Sequence, residues 1–108
     1  MGFLPKLRVA IILLACLTCA NFSQAAQDVR IGVLAKRGPE HTLHRWQPTA
    51  DYLSQQIEGY HFTIAPLDFE KIDSAVANRV VDFILVNSAI YVELEMHYGV
   101  GRIATIIN

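Results

Sequence analysis

Cysteine is absent from residues 26 to 108, because both cysteines, Cys16 and Cys19, lie within the first 25 positions. A disulfide, a thiolate metal site and a cysteine nucleophile are therefore excluded for most of the chain. An excess of positive charge is lacking as well. Of nine Lys and Arg, Lys6 and Arg8 belong to the leading segment, and the remaining seven stand against ten Asp and Glu. A general nucleic-acid-binding surface does not fit that balance. Nor is there a hydrophobic run of the about 20 residues that a membrane-spanning helix needs. The run from Val9 to Ala20 has only twelve uncharged, mostly apolar residues. No internal repeat, low-complexity tract or long linker appears, and 108 residues set one small domain as the upper limit.

What the first 25 residues do contain is ordered like an export signal. Lys6 and Arg8 precede the apolar run, and Ser23 and Ala25 supply small side chains at the −3 and −1 positions of a cleavage site. Residues 1–25 are read as a signal peptide, with the mature chain starting at Ala26. A retained membrane anchor and lipidation at Cys16, within Leu13-Leu14-Ala15-Cys16, are weaker readings. Export without cysteine in the mature chain leaves packing alone to stabilise the fold.

The rest alternates strand and helix. Val29, Ile31 and Val33 recur with a period of two and read as a strand, ended by Gly38-Pro39. Leu43, Trp46, Ala50, Leu53 and Ile57 follow at helical spacing on one face of a helix closed by Gly59. Pro48 falls on the outer face of that helix and predicts a kink without a stop. Tyr60 to Leu67 reads as a second strand; Asp68 is placed to cap a short helix through Phe69, Ile72 and Val76. Val81 to Val86, apolar except for Asp82, reads as a central strand covered on both faces. Asn87-Ser88 then opens a helix through Tyr91, Leu94 and Tyr98, ended by Gly99, and Arg102 to Ile107 is expected to form a last strand. The class is α/β, β-α-β-α-β-α-β, with parallel strands and right-handed crossovers.

In such sheets ligands sit beyond the carboxyl ends of the strands, which directs attention to residues 36–42, 68–69 and 87–88. Lys36-Arg37-Gly38 precedes a helix N-terminus and suits an anion, or is a solvated basic turn. Asn87 and Ser88 either cap their helix or turn to a ligand, and capping is the simpler role. Tyr91 packs with Leu94 and Tyr98 or aims its hydroxyl at the cleft. Phe69 opens a helix at the strand ends and is free to face the crevice, whereas Trp46 belongs to an apolar stripe and reads as core. His41-x-x-His44 beside Glu40 has no third ligand at a recognisable spacing, so no metal or cofactor is expected. His61 and His97 read as surface positions, and no catalytic triad or carboxylate pair is discernible, so the chain is not read as an enzyme.

Several stretches together resemble the amino-terminal part of the type 2 periplasmic binding proteins, in their phosphate/phosphonate-binding group. They are Ile31-Gly32-Val33-Leu34, Arg45-Trp46-Gln47-Pro48-Thr49-Ala50-Asp51-Tyr52-Leu53, and Asp82-Phe83 with Tyr91-Val92-Glu93-Leu94-Glu95. Within the group the chain is most similar to the sensor domains of tetrathionate-sensor-type histidine kinases, over residues 29 to 107. The resemblance implies two lobes closing on a small solute, often an oxyanion, with residues 26–108 the first part of lobe 1. It carries Arg37, Phe69, Asn87, Ser88 and Tyr91 to the ligand, although relatives often have Asn-Pro where this chain has Asn87-Ser88.

These readings lead to a periplasmic solute-binding domain whose expected solute is a small oxyanion. It would serve as the input of a membrane sensor kinase or cyclase, or alternatively as the binding component of a phosphate/phosphonate-type ABC transporter. An exported protein-interaction module is a further alternative. A segment the size of residues 26–108 buries only about 60 to 65% of its unfolded surface. Expressed alone, it is expected to unfold with little cooperativity and to bind no solute tightly; a sharp urea transition with micromolar anion binding by calorimetry would contradict this.

Overall fold

The computed structural model describes residues 3–18 and 25–107. Helix α1 (Phe3–Thr18) contains the charged start and most of the apolar run, and residues 4–15 are exposed. No helix among the described residues is long and apolar enough to cross a membrane. Ser23 and Gln24, in the expected cleavage site, lie outside the described residues.

Two strands, β1 (Gln27–Leu34) and β2 (Tyr60–Leu67), flank the helix α2 (Pro39–Gln56) in sequence. They pair in parallel over their whole length, from Gln27 opposite Tyr60 to Leu34 opposite Leu67. A 3-10 turn at Phe69–Lys71 then leads into α3 (Ile72–Ala77), followed by β3 (Phe83–Leu85) and α4 (Ser88–Tyr98). β3 lies parallel on the other side of β1, so the sheet order is β2-β1-β3. The α/β class and the parallel crossovers expected from the sequence are present.

The sheet separates two apolar clusters. Val29, Ala50 and Phe62 are buried between the sheet and α2, with Ile31, Leu53 and Ile64 around them. Leu67, Ile72, Ala75, Ile90 and Leu94 form the second cluster, which joins the sheet to α3 and α4 and is completed by Leu34, Val81, Ile84 and Val86. Gly32 belongs to this second side. A Cβ there would stand 2.9 Å from Leu67 Cδ1 and 3.1 Å from Val81 Cγ1, so its missing side chain permits the close packing.

Hydrogen bonds fix the layers to one another. The Ser54 hydroxyl donates to the Ala50 carbonyl at 2.8 Å and accepts from the Phe62 N–H at 2.8 Å, tying α2 to the outer edge of β2. Asp82, the one acid in the apolar run, accepts the Arg30 N–H at 2.8 Å on its carboxylate, while its own N–H donates to the Arg30 carbonyl at 2.9 Å. It thereby extends the β1–β3 pairing beyond the strand itself. The Asn87 side chain accepts the Ile90 N–H at 3.0 Å and caps α4 as expected. Pro48 is exposed and α2 runs on through it.

Three expectations are corrected. Residues 102–107 form no strand: a strand needs ladder hydrogen bonds and one buried face, and here Ile103 and Ile107 are 80% and 92% exposed. The strand at 81–86 shrinks to Phe83–Leu85 and is an edge, not the centre, because only β1 pairs with it. Its apolar density instead serves the α3/α4 side, where Val81, Ile84 and Val86 pack, while Phe83 remains 44% exposed. Asp68 makes no side-chain cap; its carboxylate lies 3.8 Å from the Lys71 ammonium, and its carbonyl accepts the Lys71 N–H at 2.9 Å.

Two substitutions test these ties. Ser54→Ala leaves the Phe62 N–H without its partner and is expected to cost about 1 to 3 kcal/mol in urea denaturation of the intact protein. Asn87→Ala removes the α4 cap and is expected to cost about 1 kcal/mol by the same measurement.

Candidate functional site

Parallel pairing brings the carboxyl ends of all three strands to one edge, and the loops that leave them shape the site. After β1 the chain turns tightly: the Ala35 N–H donates to the Leu67 carbonyl at 2.9 Å, and the Gly38 N–H returns to the Ala35 carbonyl at 3.3 Å. Gly38 has a φ of 90°, a region that glycine enters without steric cost. Thr42, buried one turn into α2, closes the corner by donating its hydroxyl to the Gly38 carbonyl at 2.9 Å. Pro39 occupies the first turn, and no side chain caps the helix N-terminus. The positive end of the α2 dipole is left open toward the loop.

Two open cavities adjoin here, of about 230 and 320 Å³, with Leu34, Lys36, Arg45 and Trp46 in the walls of both. Arg37, His41 and Thr42 complete the first. Val33, Leu85, Val86, Asn87 and Ile106 complete the second, reaching the β3–α4 corner. No carboxylate lines either cavity. Among the described residues, the ion pairs are His61 with Asp28 and Lys71 with Asp68, so Lys36, Arg37 and Arg45 have no carboxylate partner. Three cations that are neither neutralised nor paired, beside an open helix N-terminus, form an electropositive cradle. Among the same residues no group of three His, Cys, Asp or Glu could hold a metal ion.

The residues singled out from the sequence divide between those that line the cavities and those that do not. Arg37 lines the first cavity and Asn87 the second. Asn87 commits its side-chain oxygen to the helix cap, which leaves its amide nitrogen for any other contact. Ser88 is exposed at the first turn of α4 and lines neither cavity. Phe69 is 70% exposed at the end of β2, also outside both. Tyr91 is half-buried, and its phenol is held above its ordinary pKa by loss of water, then by a hydrogen bond with Glu95 and that residue's negative charge, with Arg102 opposing. Tyr91 lines neither cavity.

Arg45 and Trp46 were not among the expected ligand contacts, and Trp46 was assigned to the core. The cavity-lining positions on α2 are 41, 42, 45 and 46, two adjacent pairs one helical turn apart. That spacing marks a single face near the helix start and was available in the sequence. The apolar stripe masked it, since Trp46 satisfies both patterns.

Comparison with known proteins adds the family. Residues 31–108 match the family model described as ABC transporter, phosphonate, periplasmic substrate-binding protein. The chain is also similar to the tetrathionate sensor histidine kinase TtrS of Salmonella typhimurium, with 41% identity over 76 residues, 70% of this chain. That stretch is 13% of the kinase, so the chain spans a small part of the relative's length. No solved structure matches. With the parallel half-lobe fold and a family match over most of its length, the chain belongs to the phosphonate-type family of periplasmic substrate-binding proteins.

Proposed function

We propose that this chain is the solute-binding part of a periplasmic sensor domain, and that it takes a small oxyanion at the cradle formed by Lys36, Arg37 and Arg45. One observation carries the reading: these three cations surround two adjoining cavities from which carboxylates are absent. An oxyanion there would receive charge-assisted hydrogen bonds from the side chains and further attraction from the α2 N-terminus. No step of covalent chemistry is required of the chain. Its role is to bind, and a second wall closing over the cradle would exclude water and strengthen each contact.

A sensory role draws support from the similarity to a tetrathionate sensor kinase, which makes tetrathionate the first solute to test. The kinase or cyclase would lie elsewhere in the protein. The transporter role draws support from the family description, which names a transporter's binding protein. An export signal in residues 1–25 and a periplasmic location accord with both. Phe69, Ser88 and Tyr91 would then belong to the rim, meeting the solute only when the opposite wall closes, while Asn87 offers its amide nitrogen.

The test is calorimetric titration of the intact protein with tetrathionate and sulfate. Arg37→Ala is expected to weaken anion binding about ten-fold, the scale of one hydrogen bond to a charged group. Unchanged affinity in Arg37→Ala and in Lys36→Ala would remove the cradle from the site. Anion-dependent autophosphorylation of the intact protein would mark a sensor, and anion uptake lost with the gene a transporter component. No melting-temperature shift across a broad anion panel would favour a protein-interaction module instead.

A further inference from the structure

We propose that Trp46 is a positioning residue whose indole face holds the Arg45 guanidinium at the junction of the two cavities, so that Arg45 meets the bound anion. This rests on the oxyanion reading above. The Arg45 guanidinium carbon lies over the Trp46 ring, 5.5 Å from its centroid, within the range of a cation–π attraction. Sequence neighbours on a helix point about 100° apart, so this contact is not imposed by spacing; the arginine stem must bend across to make it.

Two observations argue that the indole serves the site more than the core. Neither apolar cluster among the described residues includes Trp46, although Ala50 and Leu53 of the same stripe pack against the sheet. Trp46 and Arg45 both line both cavities, and Arg45 has no carboxylate partner among the described residues that could orient it. Among the described residues, the ring is the surface shown against the guanidinium. An arginine laid on an aromatic face loses conformational freedom before the anion arrives, and its planar fork is then ready for a bidentate contact. Leucine would keep the position apolar, though smaller, without supplying that face.

The experiment measures sulfate affinity of the intact protein by calorimetry, in a double-mutant cycle of Trp46→Leu and Arg45→Gln, with Trp46→Phe as the conservative variant. Trp46→Leu is expected to weaken sulfate binding about two- to five-fold, the range of a solvent-accessible cation–π contact. Trp46→Phe is expected to retain the wild-type affinity. In the Arg45→Gln background, Trp46→Leu should add no loss. Equal losses from Trp46→Leu in both backgrounds, or the same loss from Phe as from Leu, would overturn the proposal. Should Trp46→Leu fail to fold, the difference in indole emission between the wild type and Trp46→Phe still reads the site. That emission should change on sulfate addition in the wild type and not in Arg45→Gln; a change of equal size in both would overturn the proposal. If sulfate binding is indifferent to Arg37→Ala, Lys36→Ala and Arg45→Gln together, the oxyanion reading itself falls.

Discussion

The parallel pairing of β1 is the constraint on which everything else depends. Among the described residues β1 is the one strand with neighbours on both sides, and each neighbour runs in its direction. Parallel strands cannot be joined by a tight hairpin, so each connection must cross over through a helix and return to the same starting edge. The result is that the loops after β1 and β3 leave from one side of the sheet. Lys36 and Asn87, 51 positions apart in sequence, line one cavity for that reason. The charges themselves contribute nothing to this convergence, which is produced by backbone pairing and by the two apolar clusters that clamp the helices to the sheet.

α2 and α4 both begin at this edge, and their first turns are handled differently. At α4 the Asn87 side chain takes the Ile90 N–H, so the protein satisfies its own donor. At α2 a proline and an uncapped glycine leave the dipole without an internal acceptor, and buried Thr42 secures the turn from the carbonyl side instead. The unpaired cations gather at the second kind of start. Local capping chemistry thus distinguishes a structural helix end from one suited to an external anion, where topology alone makes the two equivalent.

Most of the architecture was legible because its signals are local and periodic. The alternation of Val29, Ile31 and Val33, the helical stripe through Ala50 and Leu53, and the glycine stop at Gly99 each report one element without reference to the others, although α2 ends at Gln56, before the expected stop at Gly59. What failed was what depends on neighbours. An apolar run such as Val81 to Val86 cannot distinguish two covered faces from one covered face on a short edge strand, and Arg102 to Ile107 carries strand-forming residues but pairs with no strand. Among the residues that line the cavities, the place of Arg37 and Asn87 at the strand ends was legible from the sequence, while Arg45 and Trp46 were obscured because a tryptophan in phase with the core also reads as core. Phe69, Ser88 and Tyr91 follow the same strand-end logic, yet the cavities turn toward α2 and leave them on the rim.

Pro48 has a mechanical meaning that its exposed position does not suggest. It stands between the part of α2 that carries His41, Arg45 and Trp46 and the part anchored to the sheet through Ala50 and Ser54. Having no N–H, it leaves the His44 carbonyl without the rung that would normally brace these two parts together. Arg45 and Trp46 therefore sit on the less braced end of a helix whose other end is clamped. With one rung fewer across this joint, a small bend there costs less elastic energy than it would along an unbroken helix.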